Sequence, residues 1–150
     1  QKRKIRSATR LYIIQALFQM EQLGQSVDQV AEEFIKHRFG ANYDEGQMSD
    51  GDESLFKSVL EAAVNYQASI DQLTDRALVE KWPIARIDPT LRSLFRSAAA
   101  EIVQIKTPPK IVITEYVALA HAFFTDGKEP NFVNAVLDHM AKEACPNEFS

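Results

Sequence analysis

What most constrains the fold of this chain is how little interrupts it: 5 Gly and 6 Pro in 150 residues. Between them the apolar residues recur at i, i+3 and i+4, the period of a helix face rather than the alternation of a strand. The first such stretch runs from about Arg3 to Leu23 and meets Gly24, a residue suited to the left-handed turn that closes many helices. Ser26, followed three residues on by Gln29, has the capping-box pattern that opens a second helix, which ends near Arg38. Residues 39–52 hold Gly40, Gly46 and Gly51 among several acids, the composition of a mobile loop.

A longer helix follows, with Phe56, Val59, Leu60, Ala63, Gln67 and Ile70 on one face, and the pattern continues past a break near Thr74. Trp82-Pro83 marks the next boundary. Asp88-Pro89 pairs an N-cap with a proline at the first helical position, and Leu91, Leu94, Phe95, Ala98 and Ile102 form the apolar face behind it. Thr107-Pro108-Pro109 ends that helix and opens another, with Ile113, Tyr116, Val117, Ala120 and Phe124 facing in. A turn at Asp126-Gly127 leads to the last helix, whose inner face is Val133, Val136, Leu137 and Met140. The β-branched run at 111–114 sits inside a helical pattern, and no stretch alternates like a strand between hairpin turns. The reading is all-α: one domain over residues 1–150, a bundle of about six or seven helices, without a repeat of fixed period or a low-complexity tract.

Charge is divided unevenly. Lys2, Arg3, Lys4, Arg6 and Arg10 place five cations and no acid in the first ten residues, out of 17 Lys and Arg against 21 Asp and Glu overall. The remainder therefore carries 12 cations against 21 acids, a net of −9. A basic arm at residues 1–10 on an acidic body suits a protein that holds an anion in one place and repels it elsewhere; a solubilising tail would show the same charge. On a wheel of about 100° per residue, Arg3, Arg6 and Arg10 fall within about 60° of each other. The same stripe continues through Ile13, Ile14 and Leu17, which are expected in the core. The helix thus leaves the bundle with an inner face that turns from apolar to basic, which favours anion binding over the tail. Arginine suits phosphate because its planar fork donates two parallel hydrogen bonds.

No constellation for catalysis stands out. The glycines are too far apart for a phosphate-binding loop. His37, His121 and His139 show no metal-ligand spacing with each other or with Cys145, so neither metal nor cofactor is expected. Glu32-Glu33 belongs to a solvated helix face, and Glu101 and Glu115, set between apolar residues, read as structural hydrogen-bonding groups. The lone Cys145 forms no internal disulfide, consistent with a reduced, cytoplasmic setting. The apolar run at 11–14 is too short for a signal-peptide core or a membrane span.

A series of short motifs runs along most of the chain: Arg6-Ser7-Ala8-Thr9-Arg10 and Gln15-Ala16-Leu17-Phe18-Gln19-Met20-Glu21, then Trp82, Arg86-Ile87, Leu94-Phe95-Arg96 and Glu101-Ile102. The strongest stretch is Pro108-Pro109-Lys110-Ile111-Val112-Ile113-Thr114-Glu115-Tyr116-Val117, and the series closes with Phe132-Val133-Asn134-Ala135-Val136-Leu137-Asp138. In their order and spacing these motifs resemble the NusB family of bacterial transcription antitermination factors. The chain departs from the family pattern at Phe18, where tyrosine is usual, at Thr114 for Asn, at Ala135 for Gly, and in a longer loop after Phe39.

The resemblance implies an all-helical fold without enzymatic activity. It implies binding to single-stranded boxA RNA of ribosomal RNA leader transcripts together with NusE, a small-subunit ribosomal protein, and recruitment into the RNA polymerase antitermination complex. The RNA-facing residues it implies are Lys2, Arg3, Lys4, Arg6 and Arg10, with a second region around Lys128, Asn131 and Phe132. Lys110 is a further candidate phosphate contact, or a solvated first-turn residue. Phe132 can stack on a base or pack in the core. Phe18 maps to the side that meets NusE; burial in the core is the other reading. Related proteins include monomers and homodimers, so either state is open.

Two rival readings remain. A NusB-like domain also forms the N-terminal part of some ribosomal RNA cytosine methyltransferases, where an α/β domain follows. The polar finish Pro146-Asn147-Glu148-Phe149-Ser150 favours a stand-alone chain. A helical interaction module that binds no nucleic acid also fits the net acidity.

Overall fold

The computed structural model describes residues 2–78, 87–125 and 127–148. The boundary expected at Trp82-Pro83, the family-like Arg86 and the turn residue Asp126 lie outside them. Among the described residues there are seven α-helices: α1 (Lys2–Leu23), α2 (Val27–Glu33), α3 (Glu53–Asn65), α4 (Gln67–Ala77), α5 (Pro89–Ala100), α6 (Pro109–Phe123) and α7 (Glu129–Ala144). Single wide π-helical turns extend α2 (Phe34–Arg38) and α5 (Glu101–Ile105). The all-α expectation holds.

Local chemistry sets the helix ends. Gly24 closes α1 at φ 70°, its N–H donating to the Met20 carbonyl. Ser26 and Gln29 form the complete capping box of α2, each side chain accepting from the other's backbone N–H. The Asp88 carboxylate accepts from the N–H groups of Thr90 and Leu91, with Pro89 at the first position. The long third helix breaks at Tyr66, where φ is −116°, and not near Thr74. Thr74 lies buried inside α4, its hydroxyl donating to the Ile70 carbonyl one turn back, so it interrupts nothing. Gln67, placed on the buried face by the wheel, is exposed at the first position after the break, while Ile70 one turn on is buried as expected.

Helix α5 is the hub. It packs against α1, α3, α4, α6 and α7, and Leu94, Phe95, Ala98, Ala99 and Ala100 are fully buried. The alanine run lets neighbouring backbones approach closely, while Ile13, Ile14, Leu60, Tyr116 and Leu137 fill the space around it.

Residues 39–52 differ from the loop expected of them. Two short strands, β1 (Asn42–Tyr43) and β2 (Gly46–Gln47), pair antiparallel with Asn42 opposite Gln47 and Tyr43 opposite Gly46. The segment is anchored at its base: the Tyr12 hydroxyl donates to the Ser49 carbonyl at 2.5 Å, and the Asp52 N–H donates to the Thr9 hydroxyl at 2.9 Å. Phe39 packs against Tyr12 and Phe56, ring centroids 4.8 and 5.2 Å away. Gly51 is required by that packing, since a Cβ there would lie 2.6 Å from the Phe39 ring. Composition registers the glycines and acids; it does not register the aromatic anchor beneath them.

Candidate functional site

The basic stripe of α1 and the first turns of α6 meet around a surface depression of about 330 Å³, bordered by Arg3, Arg6, Arg10, Lys110, Ile111, Thr114 and Glu115. The two segments lie roughly a hundred residues apart in sequence. Proline at the first position of α6 starts that helix where Lys110 and Ile111 project beside the arginines. Ile111 is an apolar residue left 46% exposed within this basic surround.

Beneath the depression lies a buried polar network. The Arg10 guanidinium donates from Nε to Glu101 Oε2 at 2.7 Å and from Nη2 to Glu101 Oε1 at 3.0 Å, a two-point ion pair, and from Nη1 to Glu115 Oε1 at 3.4 Å. Glu101 also accepts from the Thr107 hydroxyl at 2.9 Å and from the Tyr116 hydroxyl at 2.6 Å. Tyr116 has one hydroxyl proton and gives it to Glu101, so Ser97, 2.6 Å away, is the donor to Tyr116. The chain reverses into α6 around the same carboxylate: Lys106 takes the left-handed conformation at φ 64°, and the Thr107 N–H returns to the Glu101 carbonyl.

The electrostatics follow from this packing. Burial alone would lower the Arg10 pKa, but the hydrogen bonds and charge of Glu101 outweigh it and raise the value further. Burial drives the Tyr116 phenol well above its ordinary 10.0, and the charge of Glu101 and the hydrogen bond to it act in the same direction. The network therefore favours the charged form of the guanidinium and the neutral form of the phenol. Glu101 is fully buried with its lone pairs engaged, as expected of a structural hydrogen-bonding group. Glu115 sits at the rim, its side chain 11% exposed. It accepts from Ser7 Oγ at 2.5 Å, with Arg3 Nη2 3.7 Å from its other oxygen.

Arg10 departs from the expectation of a free, solvent-facing arginine. Its side chain is 5% exposed and its fork is committed to two carboxylates. The reason is its place on the stripe that also carries Ile13, Ile14 and Leu17, all buried as expected. Lys2, Lys4, Arg6 and Lys110 are exposed, and the Arg3 side chain is 80% exposed. Lys128, Asn131 and Phe132, at the start of α7, do not border this depression. Lys128 and Asn131 face solvent. Phe132 is half-buried, its ring 6.0 Å from that of Phe95 and nearly perpendicular to it.

Phe18 is 37% exposed, which removes the core reading for it. It lines a second groove of about 410 Å³ with Ile14, Gln15, Gln19, Leu23, Arg38 and Phe123. Sequence reasoning missed Ile111, Thr114 and Glu115 as the border of the basic depression. Their signal lies in the spacing of α6, where Lys110, Ile111, Thr114 and Glu115 occupy one face, but nothing in the sequence sets that face against α1. Among the described residues, no three His, Cys, Asp or Glu side chains are grouped to hold a metal ion, and no helix is long and apolar enough to cross a membrane.

Residues 7–142 match the family model described as NusB family. The transcription antitermination protein NusB of Granulibacter bethesdensis is 40% identical over 151 residues, covering 97% of this chain and 92% of the relative. That of Maricaulis maris is 40% identical over 147 residues, covering 97% and 91%. Among solved structures, T. maritima NusB superposes with a TM-score of 0.76 at 28% identity over 95% of both chains. A chain from the crystal structure of antitermination factors NusB and NusE in complex with dsRNA has the same fold, with a TM-score of 0.74 at 22% identity over 91% of this chain and 96% of that one.

Proposed function

The chain belongs to the NusB family, and from that premise we propose that it is an RNA-binding transcription antitermination factor. It binds the single-stranded boxA element of ribosomal RNA leader transcripts together with NusE, and joins the antitermination complex on RNA polymerase. It works by binding, without catalysis, in the cytoplasm. The relatives that support this reading are themselves antitermination proteins, covered over nine-tenths of their length. The related assembly of NusB and NusE with dsRNA supports the same partners.

The observation that carries the reading is the convergence of Arg3, Arg6 and Lys110, from two distant segments, on one depression of an otherwise acidic chain. Those cations, with Lys2 and Lys4, neutralise phosphates and set the register of the strand; they read no sequence. Arg10 acts from below. Bound to Glu101 at the end of α5 and to Glu115 on α6, it fixes the N-terminal half of α1 against both so that its exposed neighbours are presented on a firm support. Lys128, Asn131 and the free edge of Phe132 form a second contact region, suited to a splayed base. The groove around Phe18 receives NusE.

The test is a titration against a short boxA-like single-stranded RNA, with and without NusE, over a range of salt. Three to five neutralised phosphates give a slope of log affinity against log salt of about −2 to −3.5. NusE is expected to tighten binding. A flat salt response, or no gain with NusE, refutes the proposal and favours a helical interaction module instead.

A further inference from the structure

A depression built only to hold phosphate would not contain a carboxylate, yet Glu115 borders this one beside three arginines and a lysine. Its two oxygens are used differently. Oε1 accepts from Ser7 Oγ and from Arg10 Nη1. Among the described residues, the polar partner of Oε2 is Arg3 Nη2, at 3.7 Å, beyond hydrogen-bond reach. Arg3 is 80% exposed and can swing toward a phosphate. The same depression is bordered by Ile111, 46% exposed, an apolar side chain of the kind a ribose or base lies against, and by Thr114, which adds a hydroxyl.

Resting on the RNA-binding reading above, we propose that Glu115 is a selectivity residue of this depression. Its Oε2 accepts a hydrogen bond from a neutral donor on a nucleotide whose phosphate lies against Arg3, Arg6 and Lys110. A carboxylate so placed repels polyanions that bring charge alone. It admits a strand that brings an O–H or N–H donor alongside each phosphate. RNA supplies two such donors, the ribose 2′-hydroxyl and the amino or imino groups of base edges.

The experiment compares the parent with Glu115→Gln for three probes: a short single-stranded RNA, the DNA strand of the same sequence, and inorganic polyphosphate. Losing a hydrogen bond to a charged acceptor predicts about a tenfold fall in the preference for RNA over polyphosphate. The fall comes from weaker RNA binding and tighter polyphosphate binding. If the 2′-hydroxyl is the donor, the preference for RNA over DNA falls with it; if a base edge is the donor, RNA and DNA weaken together. Both results support the assignment. Glu115→Asp keeps the negative charge but draws the carboxylate back by one methylene, lengthening the 3.4 Å contact with Arg10 as well, and serves as the second variant should the Gln variant fail to fold. It is expected to weaken RNA while leaving polyphosphate unchanged. RNA and polyphosphate both tightening in Glu115→Gln, or RNA affinity unchanged in Glu115→Asp, overturns the inference while leaving the antitermination reading intact. A parent that binds no RNA overturns both.

Discussion

Replacing Arg10 by alanine should destabilise the fold before it is felt in any binding assay. Glu101 is fully buried and accepts four hydrogen bonds, two from Arg10 and one each from Tyr116 and Thr107. The substitution removes both charge-assisted bonds and leaves a carboxylate in the core with no cation. Breaking a buried pair from one side costs about 3–5 kcal/mol, mostly the penalty of the uncompensated charge. At about 2–4 °C per kcal/mol for a chain of this size, the melting temperature should fall by roughly 6–20 °C. Circular dichroism melting and urea unfolding of Arg10→Ala, Glu101→Gln and the double variant check this. Because each single change strands the other partner, the double variant should lose much less than the sum of the two. Strictly additive losses, or an Arg10→Ala protein that melts with the parent, would show that the buried pair is not the bond between α1 and α5 described here.

The exposed arginines should behave in the opposite way. Arg3→Ala plus Arg6→Ala is expected to leave the melting temperature within a degree or two, since isolated surface charges add little stability. The same variant should weaken RNA binding and shrink its salt slope by about 0.7 for each phosphate no longer neutralised; retained RNA affinity would sink the phosphate assignment. Phe18→Asp should abolish NusE capture in a purified pull-down with the circular dichroism spectrum unchanged, because the ring is already 37% exposed; undiminished capture would move the NusE surface elsewhere. Tyr116 gives a pH signature. Its pKa is raised on folding, by burial first and then by Glu101, above an unfolded value of 10.0. Between those values the folded protein holds a proton the unfolded chain has released, so its contribution is intact below about pH 10 and is lost as pH rises beyond it. Tyr116→Phe should flatten that alkaline decline in urea titrations; an unchanged profile would refute the assignment.

Much of the fold was legible because its signals are local. Gly24, the Ser26–Gln29 box and Asp88-Pro89 each act within a few residues, and each closes or opens the helix their chemistry predicts. The inner faces of α5 and α7 were legible for the same reason, since a helical period needs no partner to be seen. Two features that depend on more than the apolar period were not legible. The loop at 39–52 is held by Tyr12 and Thr9 of α1, more than thirty residues away. The break at Tyr66 interrupts a pattern that the apolar residues alone carry straight through.

The site divides along the same line, and Arg10 shows where. The wheel put Arg3, Arg6 and Arg10 on one stripe, and that stripe continues into Ile13, Ile14 and Leu17. A cation that shares a stripe with core residues, one turn before them, must itself be near the core, and a buried guanidinium needs a buried acid. Glu101, beside the buried Ile102 at the end of α5, meets that requirement. Read from the sequence, Arg10 is RNA-facing and Glu101 is a structural hydrogen-bonding group; joining the two as a pair requires knowing that α1 crosses α5. The consequence of the pairing is that the five cations of the arm differ in role despite their similar chemistry. Arg10 is consumed in holding α1 to the bundle, and the exposed Lys2, Arg3, Lys4 and Arg6 remain to meet an anion. One turn of helix separates an arginine that stabilises the fold from an arginine free to bind.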